Sequence, residues 1–221
     1  MEATSARVLI VDDHAVLAEV LATSLRDAGF VVETALGGSP DAVIETCQAA
    51  HPDVTLLDLG LWAETGDGLD LIAPLLGLGT RVIVLTGASD RLLHAQSIEN
   101  GAQGVLEKRR PFEEIVEALH AAIAELPVNP QWETDMLRSE LRAAEQDERD
   151  RLAPFEQLSK REQQTLAELM TGLNASDIAD QQCVSLATVR SHIRAILTKL
   201  NVNSQLAAVA KAREHDWSLP D

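Results

Sequence analysis

Five side chains in this sequence could together handle a phosphoryl group. Asp12 and Asp13 are adjacent, Asp58 stands in Leu57-Asp58-Leu59, Thr86 follows Val84-Leu85, and Lys108 follows Leu106-Glu107. Three carboxylates brought into one site repel each other and need a cation. Oxygen ligands with no histidine or cysteine nearby favour Mg²⁺; His14 reads as an ordinary residue at a helix start. A divalent ion with an ammonium and a hydroxyl stabilises a transferring phosphoryl group, and a carboxylate can act as the nucleophile in such chemistry. Taken singly, each of these acids is ordinary, because loops at strand ends are polar. The case rests on all five falling at matching strand ends.

The elements that must position them alternate in texture over residues 1–126. Short aliphatic, β-branched runs predict buried strands at Arg7–Val11, Phe30–Thr34, Val54–Leu57, Arg81–Leu85 and Gly104–Leu106. Amphipathic stretches between them predict helices at Ala15–Ala28, Ser39–Ala50, Gly68–Leu76, Arg91–Asn100 and Phe112–Glu125. Gly29 is a suitable stop for the first helix, and Ser39-Pro40 a suitable start for the second. Five β/α units in series imply a doubly wound, five-stranded parallel sheet. Such sheets bind ligands at the carboxyl ends of their strands, where the five residues fall.

Over residues 6–125 the chain resembles the receiver domain family, whose fold is flavodoxin-like. The residues that carry the likeness are Val8-Leu9-Ile10-Val11-Asp12-Asp13-His14, Leu57-Asp58-Leu59, Val84-Leu85-Thr86 and Gly104-Val105-Leu106-Glu107-Lys108. The resemblance implies Asp58 as phosphoacceptor and a Mg²⁺ site made by Asp12, Asp13, Asp58 and the backbone carbonyl of Gly60. It implies Thr86 as a contact to the phosphoryl group and Lys108 as the partner of Asp58 or its phosphate. Two positions depart from the family pattern. Val105 stands where an aromatic residue is usual, three before the lysine, so switching is expected to use the Thr86 hydroxyl and backbone shifts near Ala88 rather than a ring. Leu61-Trp62 replaces the usual Met-Pro, and Ala63 to Asp67 reads as a lengthened loop.

Pro127 and Pro130 break the α/β pattern. Gln131 to Leu152 is highly charged with few large apolar residues, predicting a solvated linker helix ended by Pro154. From Leu158 onward the texture is helical in short pieces. Ser159 and Glu162 are spaced as a capping box, Gly172 closes that helix, Asn174 and Ser185 can cap the next two, and a fourth starts near Ser204. In Ala187 to Leu200, Val189, Ile193, Ile196, Leu197 and Leu200 share one face. Arg190, Ser191, Arg194 and Thr198 share the other, with His192 and Lys199 flanking. Two guanidinium forks one turn apart suit guanine edges or phosphates, and a short helix joined to this one by a tight turn has helix-turn-helix spacing.

This segment, residues 156–215, resembles the LuxR-type helix-turn-helix of NarL/FixJ response regulators. The likeness lies in Leu158-Ser159-Lys160-Arg161-Glu162, Asp177-Ile178-Ala179, Ser185, Thr188-Val189-Arg190-Ser191-His192-Ile193 and Leu197-Thr198-Lys199-Leu200-Asn201-Val202. It implies base-reading side chains at Arg190, Ser191 and Arg194, and contacts to the DNA backbone from residues such as Thr188 and Lys199. It also implies a DNA-bound dimer through the last helix, Gln205 to Ala212, although the small apolar residues there could equally close a small core.

Charge supports a division into domains 1–126 (receiver), 127–155 (linker, partly helical) and 156–221 (helix-turn-helix). The formal net charge of −17 argues at first against nucleic acid, but residues 1–126 alone hold 20 acids and 7 bases, whereas Gln181 to Arg213 holds five bases and no acid. No apolar run is long enough for a bilayer and no secretory leader is evident. Cys47 and Cys183 are expected as reduced thiols. The combined expectation is a cytoplasmic, non-enzymatic transcription regulator. A sensor histidine kinase would phosphorylate Asp58, and the modified chain would dimerise and bind DNA. An alternative keeps DNA binding but makes the receiver a phosphorylation-independent dimerisation or partner-binding module. A phosphoaspartate hydrolase usually needs a second acid two residues after its nucleophile, where this chain has Gly60.

Overall fold

In the computed structural model, residues 5–36, 39–61, 68–87 and 90–219 are described. The chain divides into two compact units, residues 1–142 and 143–221.

The first unit is built on β1 (Arg7–Val11), β2 (Val31–Ala35), β3 (Val54–Leu57), β4 (Arg81–Thr86) and β5 (Gly104–Glu107). All neighbours are parallel, in the order β2-β1-β3-β4-β5. Helices α1 (Ala15–Asp27), α2 (Pro40–Ala50), α3 (Ile72–Gly77), α4 (Arg91–Glu99) and α5 (Phe112–Ile123) connect them. Strand residues alternate between two cores, as a sheet covered on both faces requires. Val8, Ile10, Val54, Leu56, Ile83 and Leu106 belong to one; Leu9, Val11, Leu57, Val82, Val84 and Val105 belong to the other.

Two elements differ from the sequence expectation. Strand β2 starts at Val31, because the Phe30 amide bonds back to the Leu25 carbonyl after α1, past Gly29 in the left-handed region at φ +97°. The helix expected at Gly68–Leu76 is a 3-10 turn, Gly68–Leu71, followed by the short α3.

The linker forms one helix, α6 (Gln131–Glu156). Pro154 lies inside it, two residues before its end, rather than ending it, and its missing N–H removes one helical hydrogen bond. Nor is the helix wholly solvated, since Leu137 and Leu141 are buried with Ala95 of α4.

The second unit holds α7 (Lys160–Met170), α8 (Ala175–Gln182), α9 (Leu186–Lys199) and α10 (Gln205–Glu214). The side chains of Ser159, Asn174, Ser185 and Ser204 accept from backbone amides at the four N-termini, so all four starts are set locally. Val189 and Ile193 of α9 are buried with Leu169 and Ile178, while Ile196 and the following Leu200 are buried with Phe155 and Trp217, which form a stacked pair. Among the described residues, no helix is long and apolar enough to cross a membrane.

Candidate functional site

The acidic site forms where β1, β3, β4 and β5 end side by side. The register pairs Val11 with Leu57 and Thr86 with Glu107, so Asp12, Asp58, Thr86 and Lys108 emerge together at the carboxyl edge. Asp12 and Asp58 are buried, at 3 % and 4 % exposure, and Thr86 is buried beside them. Lys108 Nζ lies 2.6 Å from Asp12 Oδ2 and 2.8 Å from Asp58 Oδ2. Burial acts to lower the Lys108 pKa, but hydrogen bonds to both carboxylates and their charge outweigh it and hold the ammonium above its ordinary value.

One ammonium facing two buried carboxylates, with Asp13 at the rim, leaves the site net negative. Asp12, Asp13, His14 and Asp58 each offer a ligand atom, all within 4.8 Å of one another. A hard divalent cation fits this donor set. The sequence reading placed no histidine near these acids, whereas His14 lies beside them. His14 stands at the N-terminal boundary of α1 without capping it by its side chain, and its Nδ1 lies 2.7 Å from Asp13 Oδ1 and 3.3 Å from Asp12 Oδ1. A cavity of about 360 Å³ opens over Asp58, Gly60, Thr86 and Lys108, with His14, Leu17 and Leu93 at its sides.

Gly60 is exposed, and a Cβ built on it would stand 3.3 Å from Asp58 Oδ2, so its backbone passes close to that carboxylate. Val105 is buried in the core beside Val84. Trp62, the Ala63 to Asp67 stretch expected as a lengthened loop, and Ala88 lie outside the described residues.

In the second unit Arg190, Ser191, Arg194 and Thr198 are exposed on α9, opposite the buried stripe. The basic residues of this region fall into two groups. Lys199 Nζ is 2.6 Å from Glu162 Oε2, Lys211 donates to the Leu200 carbonyl at 2.9 Å, and Arg213 donates to the Met170 carbonyl at 2.9 Å. Arg190 and Arg194 have no side-chain hydrogen bond or ion pair among the described residues. Thr188 is tied to the cap of α9, its hydroxyl 2.8 Å from Ser185 Oγ.

Lys199, expected to flank this face and to contact the DNA backbone, is engaged by Glu162. Glu162 takes both the Ser159 amide, at 2.7 Å, and the Lys199 ammonium, locking the start of α7 to the end of α9. Burial acts to raise the Glu162 pKa, but the hydrogen bonds from Lys199 and Ser159 outweigh it and hold the carboxyl below its ordinary value. On α10, Ala208 and Ala212 close the core while Leu206 is 79 % exposed.

Two features went unread in the sequence. Buried Asn129 pairs through its side-chain amide with the Val105 backbone, and Arg91 of α4 pairs with Glu140 of α6 at 2.7 Å. The spacing of Leu137 and Leu141, four apart in a charged helix, was the available signal for the second.

A doubly wound sheet with acids and a lysine at its carboxyl edge, followed by a helix-turn-helix, defines the class of response regulators with a DNA-binding output domain. Residues 8–120 match the response regulator receiver domain family, and residues 156–212 match the luxR family of bacterial regulatory proteins. The nitrate/nitrite response regulator protein NarP of Escherichia coli is 35 % identical over 211 residues, covering 94 % of each chain. The transcriptional regulatory protein LnrK of Bacillus subtilis is 30 % identical over 209 residues, covering 91 % of this chain and 94 % of LnrK. The RcsB response regulator solved with DNA shares the fold, with a TM-score of 0.52 at 21 % identity over 95 % of this chain and 98 % of RcsB. The chain belongs to the NarL/FixJ family of response regulators, transcriptional regulators of two-component systems whose control is typically by phosphorylation.

Proposed function

We propose that Asp58 accepts a phosphoryl group from a sensor histidine kinase in the cytoplasm, and that the added charge controls DNA binding by α9. The observation that carries this reading is Lys108 Nζ bridging Asp12 and Asp58, both buried, at 2.6 and 2.8 Å. A carboxylate oxygen of Asp58 attacks phosphorus, the phosphorus–nitrogen bond of the donor histidine breaks, and an acyl phosphate forms while the imidazole leaves. Lys108 and the Thr86 hydroxyl receive the new oxygens. Asp12, Asp13, Asp58 and the Gly60 carbonyl would hold Mg²⁺, which neutralises charge on the transferring group.

On DNA, Arg190, Ser191 and Arg194 read base edges in a major groove, and Thr188 lies near the backbone. Two copies bind as a dimer on two half-sites, and exposed Leu206 supports a role for α10 in pairing. Lys199, held by Glu162, anchors the end of α9 rather than serving as a free phosphate contact.

Incubation with acetyl phosphate and Mg²⁺ should give one phosphoryl mass adduct, absent in Asp58→Asn and suppressed by EDTA. An adduct that persists in Asp58→Asn, or that forms equally well in EDTA, overturns the assignment.

A further inference from the structure

His14 has no part in the phosphoryl chemistry of the acidic site, yet its imidazole stands at the rim. Its Nδ1 lies 2.7 Å from Asp13 Oδ1 and 3.3 Å from Asp12 Oδ1. With Asp58, these residues offer four ligand atoms within 4.8 Å of one another. Donor atoms bound at about 2.0–2.2 Å to one divalent ion stand about 2.8–3.6 Å apart, in octahedral or tetrahedral geometry. The separations at His14 match that spacing, so one ion can reach the nitrogen and the carboxylates together.

Asp12 divides its two oxygens between neighbours of different kinds. Oδ2 faces the Lys108 ammonium at 2.6 Å, while Oδ1 faces the His14 ring and accepts from the His14 amide at 2.8 Å. A carboxylate oxygen carries two lone pairs, so that amide leaves one for an ion. Lys108 therefore neutralises one side of the acids, and the imidazole stands on the other. The His14 side chain is 70 % exposed, so its ring can turn toward an ion at little packing cost. It also lines the cavity that opens over Asp58, which gives an ion a way in.

We propose that His14 Nδ1 is a ligand for a borderline first-row transition ion at this site, and that it raises the site's preference for such an ion over Mg²⁺. The inference rests on the reading of Asp12, Asp13 and Asp58 as a divalent cation site, and what it adds is the nitrogen donor. Carboxylates, carbonyls and water suit Mg²⁺, whereas imidazole suits zinc, nickel, copper and iron. Mg²⁺ gives up its waters reluctantly and gains little from a nitrogen. A transition ion gains a ligand of the type it favours. Both kinds of ion need the same aspartate oxygens, so they compete, and the ion that the chain carries depends on which divalent ions surround it.

The test is calorimetric titration of the full chain with Zn²⁺ and, separately, with Mg²⁺, for the wild type and His14→Ala. Only Zn²⁺ that Mg²⁺ displaces is counted, which sets aside zinc held by other histidines. His14→Ala should weaken this Zn²⁺ binding at least about 10-fold, since even outer-shell partners of a metal are worth that much. Mg²⁺ binding should be unchanged, which loss of folding would not allow. X-ray absorption at the zinc edge should show imidazole scattering in the wild type and lose it in His14→Ala. The role of His14 is overturned by Zn²⁺ binding equally tight in both chains, by equal weakening for both ions, by the absence of displaceable Zn²⁺, or by a wild type without imidazole scattering. In each of those cases Mg²⁺ binding by the wild type leaves the aspartate cation site standing. A wild type that binds neither ion overturns both.

Discussion

The acidic site and the face of α9 treat charge in opposite ways. In the first, every charged group placed by the sheet has a partner: Lys108 bridges Asp12 and Asp58, and His14 meets Asp12 and Asp13. In the second, the structure engages Lys199, Lys211 and Arg213 internally and leaves Arg190 and Arg194 without a side-chain partner among the described residues. A site that must respond to one added phosphoryl group benefits from a buried, hydrogen-bonded network, where a new charge has to rearrange something. A surface that must meet DNA benefits from donors already free, because a paired arginine would have to break one contact to make another. The contrast also reconciles a net charge of −17 with DNA binding. Long-range attraction is weak, so affinity is concentrated in a few short-range contacts.

The largest expected effect breaks the link between the two regions. Lys108→Ala should still be phosphorylated, but its affinity for DNA should no longer change on phosphorylation, whereas the wild type should change by about 5–150-fold. A wild-type response in the mutant would remove Lys108 from the coupling. Next come the free arginines. Arg190→Ala and Arg194→Ala should each relax base preference at one position per half-site, by about 1–3 kcal/mol in titrations against single-base operator variants. Lys199→Ala sharpens the contrast between free and engaged bases. It should loosen α9 and weaken binding without changing the salt dependence, whereas a free phosphate contact would lower the salt slope by about one unit.

A smaller effect separates hydroxyl from bulk inside the receiver. Thr86→Ala should strongly reduce activation, while Val105→Ala, which opens a gap in the core, should lower stability more than signalling. Equal loss of activation at equal stability would contradict this. The smallest effect concerns pH. The folded-state pKa of Glu162 is depressed, so its contribution to stability is full above the unfolded value, about 4.3, and is lost as pH falls through the folded value. The protection of α7 and α9 amides against exchange, taken relative to the intrinsic rate at each pH, should therefore fall on acidification below about pH 4.3, and Glu162→Gln should lack that component.

Strand positions and helix caps were legible because they are local. Aliphatic runs ending in Asp, Thr or Lys define β1, β3, β4 and β5, and Ser159, Asn174, Ser185 and Ser204 mark helix starts by a single side chain each. The geometry of the acidic cluster followed from them, since parallel register brings the strand ends together. Interactions between distant segments were not legible. That Glu162 would claim Lys199, 37 residues away, depends on how α7 crosses α9. That Asn129 would complete the β5 edge depends on a loop fitting against Gly104. His14 entered the acidic cluster because a residue chosen as a helix start also sits beside Asp12 and Asp13, where position decides and residue type says little.

The central claim is that charge at Asp58 governs the free face of α9, and one titration tests it directly. A binding site would first be selected from random DNA, and the full chain titrated against it with and without beryllofluoride and Mg²⁺, beside Asp58→Asn. We expect a shift in affinity of at least about 5-fold for the wild type and none for Asp58→Asn. Equal affinity of the wild type in both conditions, with beryllofluoride demonstrably bound, would contradict the account and favour a receiver that serves only as a phosphorylation-independent interaction module.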